Sequence, residues 1–189
     1  MSRIKVVASS PKMLLGALVT MLAAVGLAVG SGASFTSRSA NPANTFSSGN
    51  LAQTNSQSGA VLTAAKIKPG DPASVGTVTI TNSGDIAGNF TLSKANVADT
   101  AGPNGGQLSS KLNVLIQDVT NAASPQQVYT GTVGAMGSQS LGSFAAGASR
   151  TYKFSVTFPD GGTPASSTTG DNAYKGSSLT VDYAWDSAS

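Results

Sequence analysis

Aspartate is the only acidic residue type in this chain of 189 residues, which has eight acidic residues and neither histidine nor cysteine. Without histidine or cysteine there can be no Ser-His-Asp triad, thiol nucleophile, disulfide or conventional zinc site. Aspartate carboxylates remain as acid-base groups, and a glycosidase needs a pair of carboxylates. We expect no catalytic residues and no enzymatic activity, with a pair of aspartates at catalytic separation as the alternative.

Calcium would require oxygen ligands, and the best cluster of these is Asp160-Gly161-Gly162 together with Asp171-Asn172. The chain contains no Asp-x-Asp-x-Asp-Gly loop and no glutamate that could act as a bidentate ligand. Aspartates followed by glycine or asparagine more commonly accept hydrogen bonds in turns at strand ends. The sequence therefore predicts no metal site and no cofactor.

A carbohydrate-binding face would need exposed aromatic rings. Tyr152, Tyr183 and Trp185 alternate with polar residues and share their faces with aliphatic or aromatic ones, which predicts that they belong to the core. Tyr174 lies between turn residues, so we expect its ring to be the exposed one.

The formal charge of +3 comes from the first twelve residues, where Arg3, Lys5 and Lys12 precede an apolar run. The rest of the chain has eight basic and eight acidic residues. A nucleic-acid partner, which needs clustered basic residues, is therefore not expected. A net charge near zero favours self-association. We expect four lysines to be solvated charges that protect sheet edges: Lys66, Lys68, Lys94 and Lys111.

The first 33 residues have the layout of a secretory signal. A basic start is followed by apolar and small residues at 13–29 and by small residues at 30–33. We predict cleavage between Ala33 and Ser34, and hence a secreted or cell-surface product. The alternative is an uncleaved membrane anchor, since 17 residues is near the lower limit for spanning a bilayer. Membrane contact is expected only through this uncleaved signal.

Residues 44–189 are long enough for one domain, and their clearest periodicity is two. Apolar and polar residues alternate most strongly at 149–159 and 178–186, which predicts two half-buried strands. Further strands are predicted at 60–65, 76–81, 89–95, 111–118, 126–130 and 138–144. Many short strands separated by turns indicate an all-β fold, an antiparallel β-sandwich of the immunoglobulin-like or jelly-roll kind.

Two connections between these strands have a specific interpretation. Residues 82–85, with the sequence Asn-Ser-Gly-Asp, are predicted to form a hairpin turn between the strands on either side. Residues 97–110 are rich in glycine, asparagine and alanine, and we expect a loop or one short helix there.

Several short motifs follow one another along the predicted mature chain. After the small residue and Phe35 at the predicted cleavage site comes a Thr-Phe-Ser-Ser-Gly-Asn-Leu element at 45–51. A Val-Thr-Ile-Thr-Asn-Ser-Gly-Asp stretch follows at 78–85, and then Phe-Ala-Ala-Gly at 144–147 and Asp-Asn-Ala-Tyr at 171–174. In type and order these motifs resemble those of secreted proteins of the TasA/camelysin type, where the stretch at 78–85 is typical of the early hairpin.

The resemblance implies a jelly-roll-like sandwich, processing by a dedicated signal peptidase, and assembly into fibres of an extracellular biofilm matrix. In such fibres the N-terminal segment of one subunit completes the sheet of the next. Metalloprotease activity has been described for the camelysin branch, but this chain contains no histidine, so that activity is not expected here.

Residues 34–43 are the candidate donor segment, because they are rich in serine and threonine and have Phe35 as an apolar side chain for a pocket, while donor-strand assembly needs an extended peptide of this kind. The turn-prone pair Asn41-Pro42 would separate them from the domain. The alternative is an unstructured N-terminus, which is common for a polar terminal stretch. The residues predicted to form the donor strand are Ser34, Phe35, Thr36, Ser37, Arg38 and Ser39.

The sequence thus predicts a structural subunit of a matrix fibre. Its expected partners are other copies of itself, a signal peptidase during export and an accessory matrix subunit. The alternative function is a monomeric cell-surface module that adheres to polysaccharide or to a host surface.

Overall fold

The computed structural model describes residues 11–30, 45 and 47–189. The predicted cleavage site at Ala33 and Ser34 and the predicted donor strand lie outside these residues. Helix α1, Pro11–Gly30, belongs to a separate unit from the compact unit formed by residues 47–189. In the described part of the chain, no helix combines the length and the apolar character needed to cross a membrane.

Residues 47–189 contain eight strands and two short 3-10 helices. The strands are β1 Gln53–Asn55, β2 Ser74–Asn82, β3 Gly88–Thr100, β4 Asn113–Asp118, β5 Gln126–Thr132, β6 Gln139–Phe144, β7 Ser149–Thr157 and β8 Ser178–Ala188. The 3-10 helices are Leu108–Ser110 and Gly170–Tyr174.

The strands form two antiparallel sheets that pack face to face. Sheet A has five strands in the order β1-β2-β7-β4-β5, and sheet B has three in the order β6-β3-β8. Every strand pair among the described residues is antiparallel. The predicted all-β antiparallel sandwich is therefore confirmed.

Aromatic side chains from both sheets meet in the core. The Tyr152 ring of β7 lies 5.0 Å from the Trp185 ring of β8, and the Phe90 and Phe144 rings stack within sheet B at 4.1 Å. Each buried ring removes a large apolar area from water and so stabilises the core. The buried apolar residues are Val78, Ile80, Phe90, Leu92, Leu108, Leu112, Val114, Ile116, Val133, Met136, Leu141, Phe144, Tyr152, Phe154, Phe158 and Trp185.

The predicted hairpin at 82–85 is wrong, because these residues connect the two sheets. Strand β2 lies in sheet A and β3 lies in sheet B. Asn82 is fully buried at this corner, where its Nδ2 donates to the carbonyl oxygens of Ile86 at 2.8 Å and Phe144 at 3.1 Å. Its Oδ1 accepts a hydrogen bond from the Gly84 amide at 3.0 Å. Asn82 thus stabilises the corner at which the chain passes from sheet A to sheet B.

The strand predicted at 60–65 is also wrong, since residues 56–69 contain no strand. Val61 and Leu62 are both half-buried although they are neighbours, so the stretch does not follow the alternation of a strand. The short strand β1, which pairs with the end of β2, was not predicted. Its three residues are polar and exposed, so it lacks an apolar pattern.

The stretch 97–110 begins in strand β3, which was not expected there, and only its remainder has the expected loop and short helix. Strand β3 extends to Thr100, and a loop leads to the 3-10 helix Leu108–Ser110. Leu108 is buried and anchors this turn against the core before β4 begins.

Candidate functional site

One edge of sheet B is open. Strand β8 is the last strand of this sheet and pairs only with β3 within the described residues. Among those residues, the one hydrogen bond to a backbone group at the outer edge of β8 is donated by the Gln53 side-chain amide to the Trp185 carbonyl oxygen, at 2.6 Å. Backbone groups along such an edge are available for pairing with another strand.

The pairing of β8 with β3 shows which backbone groups of β8 are available at this edge. In an antiparallel pair, successive residues direct their backbone groups alternately towards the partner and away from it. Since the Trp185 carbonyl oxygen is reached from outside, Tyr183, Val181 and Leu179 also direct their backbone groups outwards. A bulge in β3 between Ala95 and Ala98 lies opposite Val181 and leaves the alternation of β8 unchanged.

Beneath this edge lies a cavity of about 1050 Å³, bounded on one side by residues 56–69 and on the other by the inner face of β8. We call it the edge groove. Its floor is formed by core residues, and its walls combine apolar side chains with a polar rim. Apolar residues that line it include Val61, Leu62, Ile67, Leu108, Leu112, Val133, Val156, Phe158, Leu179, Val181, Tyr183 and Trp185.

Residues 56–69 form a strap that is fixed mainly at its ends. At one end the Ser56 amide donates to the Thr79 carbonyl oxygen at 3.0 Å. At the other, the Gly70 amide donates to the Phe158 carbonyl oxygen at 2.8 Å. In between, the strap passes close to Gly76, where an added Cβ would lie 2.0 Å from the Val61 carbonyl oxygen. The close approach requires glycine at position 76.

Tyr183 lines the edge groove and is half-buried, with its ring 4.7 Å from that of Phe154. Burial raises the pKa of Tyr183 to about 12, and the neighbouring Tyr129 adds to this increase. The phenol is therefore neutral at physiological pH and contributes an apolar ring to the groove.

An ion pair lies at one end of the edge groove. The Lys111 ammonium is 3.1 Å from Asp171 Oδ1, and the two side chains are only 22% and 10% exposed. The expectation that Lys111 is a solvated edge charge is therefore wrong. The Gly161 amide, which donates to Asp171 Oδ2 at 2.7 Å, and then Lys111 lower the pKa of the Asp171 carboxyl.

Tyr174 packs beside this pair and is half-buried, so the expectation that its ring is exposed is wrong. Its ring meets Phe158 edge-on at 5.8 Å, and the Lys111 ammonium lies 5.9 Å from its centroid. The 3-10 helix Gly170–Tyr174 turns the ring inwards, a placement that residue pattern alone does not encode.

The aspartates considered for calcium serve the local backbone. Asp160 Oδ1 accepts a hydrogen bond from the Gly162 amide at 2.8 Å, in the way expected of an Asx turn. Asp171 is occupied by Lys111 and Gly161. In the described part of the chain, no three acidic, histidine or cysteine side chains are grouped to hold a metal ion.

The aromatic residues assigned to the core are there: Tyr152 is fully buried and Trp185 is 9% exposed. Among the described residues, the large apolar side chains that are exposed are all aliphatic or methionine. A row of exposed rings, the feature that would favour carbohydrate binding, is not found in the described residues.

The outer face of sheet B is acidic beside the open edge. Asp182 and Asp186 are exposed on β8, and the β3 residues opposite them are Ala95 and Thr91. Asp182 Oδ2 accepts a hydrogen bond from Asn96 Nδ2 at 2.7 Å. Within the described residues, neither aspartate has a lysine or arginine within 4.0 Å.

The site residues predicted from the sequence and the site found in the structure lie in different parts of the chain. Ala33, Ser34 and the donor residues through Ser39 are outside the described residues. The edge groove was not predicted, although strand β8 was. A local pattern of apolar residues identifies a strand but not its neighbours, so the open edge gave no sequence signal.

Comparisons with known proteins add no assignment to this geometry. The chain matches no protein-family model, and a search of curated proteins finds no match either. The resemblance to the TasA/camelysin type therefore stays a prediction.

Proposed function

We propose that the protein is a secreted structural subunit of an extracellular matrix fibre and that subunits join by strand addition at the outer edge of β8. The proposal includes export through the predicted signal segment and cleavage between Ala33 and Ser34. Neither an enzymatic activity nor a cofactor is part of it.

The observation that carries this proposal is the position of the open edge directly above the edge groove. An added strand needs backbone partners along one side and pockets for alternate side chains. The outward backbone groups of Val181 and Tyr183 would supply the first. The groove, with Leu62, Ile67 and Val156 among its lining residues, would receive apolar side chains.

The occupant that we propose is the segment 34–43 of a second copy of this chain. It is polar apart from Phe35 and small residues, so it has little apolar surface with which to form a core of its own. Phe35 would enter the edge groove while the backbone pairs with β8. A subunit that donates at one end and accepts elsewhere forms an open, head-to-tail filament.

Electron microscopy and size-exclusion chromatography of the mature protein, beginning at Ser34, test this function. The matched control is the same protein without residues 34–43. Because the buried core lies between Val78 and Trp185, that deletion removes none of it. We expect filaments from the first protein and folded monomers from the second.

Monomers from both proteins at high concentration and neutral pH would contradict self-assembly. Filaments from both would contradict the role of segment 34–43. In the first case, binding of the monomer to isolated polysaccharide would support the adhesive-module alternative.

A further inference from the structure

Beside its open edge, β8 exposes two aspartates, Asp182 and Asp186, that have no basic partner within 4.0 Å among the described residues. We propose that Arg38 of one subunit pairs with Asp182 of the next and thereby fixes the register of the incoming strand. This inference rests on the proposed function and specifies its partner contact.

Asp182 is suited to this role by its surroundings. It lies on the exposed face of β8, where the β3 residue opposite it is Ala95. Asn96 Nδ2 occupies its Oδ2 at 2.7 Å, which orients the carboxylate without neutralising it. No lysine or arginine of the described residues lies within 4.0 Å. A strand added beyond β8 would place its own side chain directly beside Asp182, on the side away from Ala95.

The candidate donor has one charged side chain, and it is positive. Arg38 carries it, and the other positive charge of the mature segment is the α-amino group that cleavage creates at Ser34. In an extended strand, Phe35 and Arg38 lie on opposite faces because they are three residues apart. When Phe35 faces the edge groove, Arg38 faces the acidic outer surface of sheet B.

Register arithmetic distinguishes Asp182 from Asp186. With Arg38 opposite Asp182, Phe35 lies opposite Trp185 in an antiparallel arrangement and opposite Leu179 in a parallel one. Both of these residues line the edge groove. With Arg38 opposite Asp186, the antiparallel arrangement places Phe35 beyond Ala188, where β8 ends. Of the two aspartates, only Asp182 leaves Phe35 above the groove whether the added strand runs antiparallel or parallel to β8.

Basic residues at the other end of the groove oppose a large shift in register. Lys175 is exposed beside the start of β8, and Lys66 and Lys68 are exposed on the strap. All three line the groove. An arginine displaced towards this end would meet these like charges. The two aspartates there already have basic partners, since Asp171 pairs with Lys111 and Asp71 with Lys68.

Exchanging the charges of Arg38 and Asp182 in the mature protein tests the proposed ion pair. The variants are R38E, D182K, R38E/D182K and, as the matched control, R38E/D186K. Critical concentrations for filament formation are measured by sedimentation at low ionic strength, and circular dichroism confirms that each variant is folded. We expect each single variant to raise the critical concentration about tenfold, since attraction is replaced by repulsion between neighbouring strands.

The double variant R38E/D182K should recover most of the wild-type behaviour, whereas R38E/D186K should not. If the wild-type protein forms filaments and R38E assembles equally well, the proposed ion pair is wrong but the fibre function is not contradicted. Impaired single variants without recovery in R38E/D182K, or equal recovery in R38E/D186K, would also overturn it. A wild-type protein that stays monomeric would contradict both the fibre function and the pair.

Discussion

The side-chain amide of Gln53 donates a hydrogen bond to the backbone carbonyl oxygen of Trp185 at 2.6 Å, across the space between the two sheets. It links β1, the edge strand of sheet A, to β8, the edge strand of sheet B. Both edges therefore lie on the same side of the sandwich. The edge groove lies on this side, so the outward groups of β8 and the apolar lining form one continuous site.

Proline at position 181 should block assembly without unfolding the subunit. The Val181 amide points away from β3, so V181P removes a donor at the open edge and leaves the β3 ladder intact. We expect folded monomers in size-exclusion chromatography and no filaments. The matched variant T180P removes an amide that faces β3 and should lower the unfolding free energy by at least about 1 kcal/mol.

Equal destabilisation by V181P and T180P would show that the assignment of outward groups is wrong. Chemical denaturation of the monomeric proteins lacking residues 34–43 makes this comparison independent of assembly.

The buried hydroxyl of Tyr152 should contribute nothing to stability. It is inaccessible to solvent and has no hydrogen-bond partner among the described residues. Since Y152F removes this polar group and keeps the ring, we expect the unfolding free energy to stay the same or rise by about 1 kcal/mol. Tyr129 supplies the control, because its hydroxyl donates to the Thr132 carbonyl oxygen at 2.9 Å. Y129F should lower stability by about 1 kcal/mol in the same urea titration.

Alkaline pH should destabilise the fold through Tyr183. Its folded pKa is raised to about 12 from an ordinary value of 10.0. The stabilisation is therefore complete below pH 10 and is lost as pH rises towards 12. Burial also raises the pKa of Tyr152, so the ultraviolet absorbance of tyrosinate should show one phenol fewer titrating well above pH 10 in Y183F than in the wild type. Titration of all tyrosines near pH 10 in the folded protein would contradict the burial of this ring.

Acid should release the Asp171 carboxylate from Lys111 and Gly161. The folded pKa is lowered from 3.8, so the stabilisation is present above pH 3.8 and is lost as pH falls through the lower folded pKa. The melting temperature of D171N should therefore depend less on pH in this range than that of the wild type. An identical acid dependence in the two proteins would show that this carboxylate is not linked to folding.

Much of the fold follows from local residue patterns. The alternation around Phe154 and around Trp185 predicts β7 and β8, because each is a long strand with one buried face. The pattern gives no strand order, and this is why residues 82–85 suggested a hairpin. The buried Asn82 holds a change of sheet there through contacts with Phe144, which is 62 residues away.

The candidate site was harder to predict than the fold, because it is formed by contacts between residues that are far apart in the sequence. The groove forms because the strap, Phe158 and β8 come together in three dimensions. Lys111 and Asp171 are 60 residues apart in sequence, so charge patterning could not reveal their ion pair. The sequence alone does identify Phe35 as the residue of 34–43 able to enter an apolar pocket.

Amide hydrogen exchange at the β8 edge tests strand addition most directly. Filaments of the mature protein are exposed to deuterated solvent, dissolved under quenching conditions and compared with the monomer that lacks residues 34–43. We predict that the Val181 and Tyr183 amides exchange rapidly in the monomer and become protected in the filament, while Thr180 and Asp182 are protected in both. Rapid exchange of Val181 and Tyr183 in the filament would contradict the account.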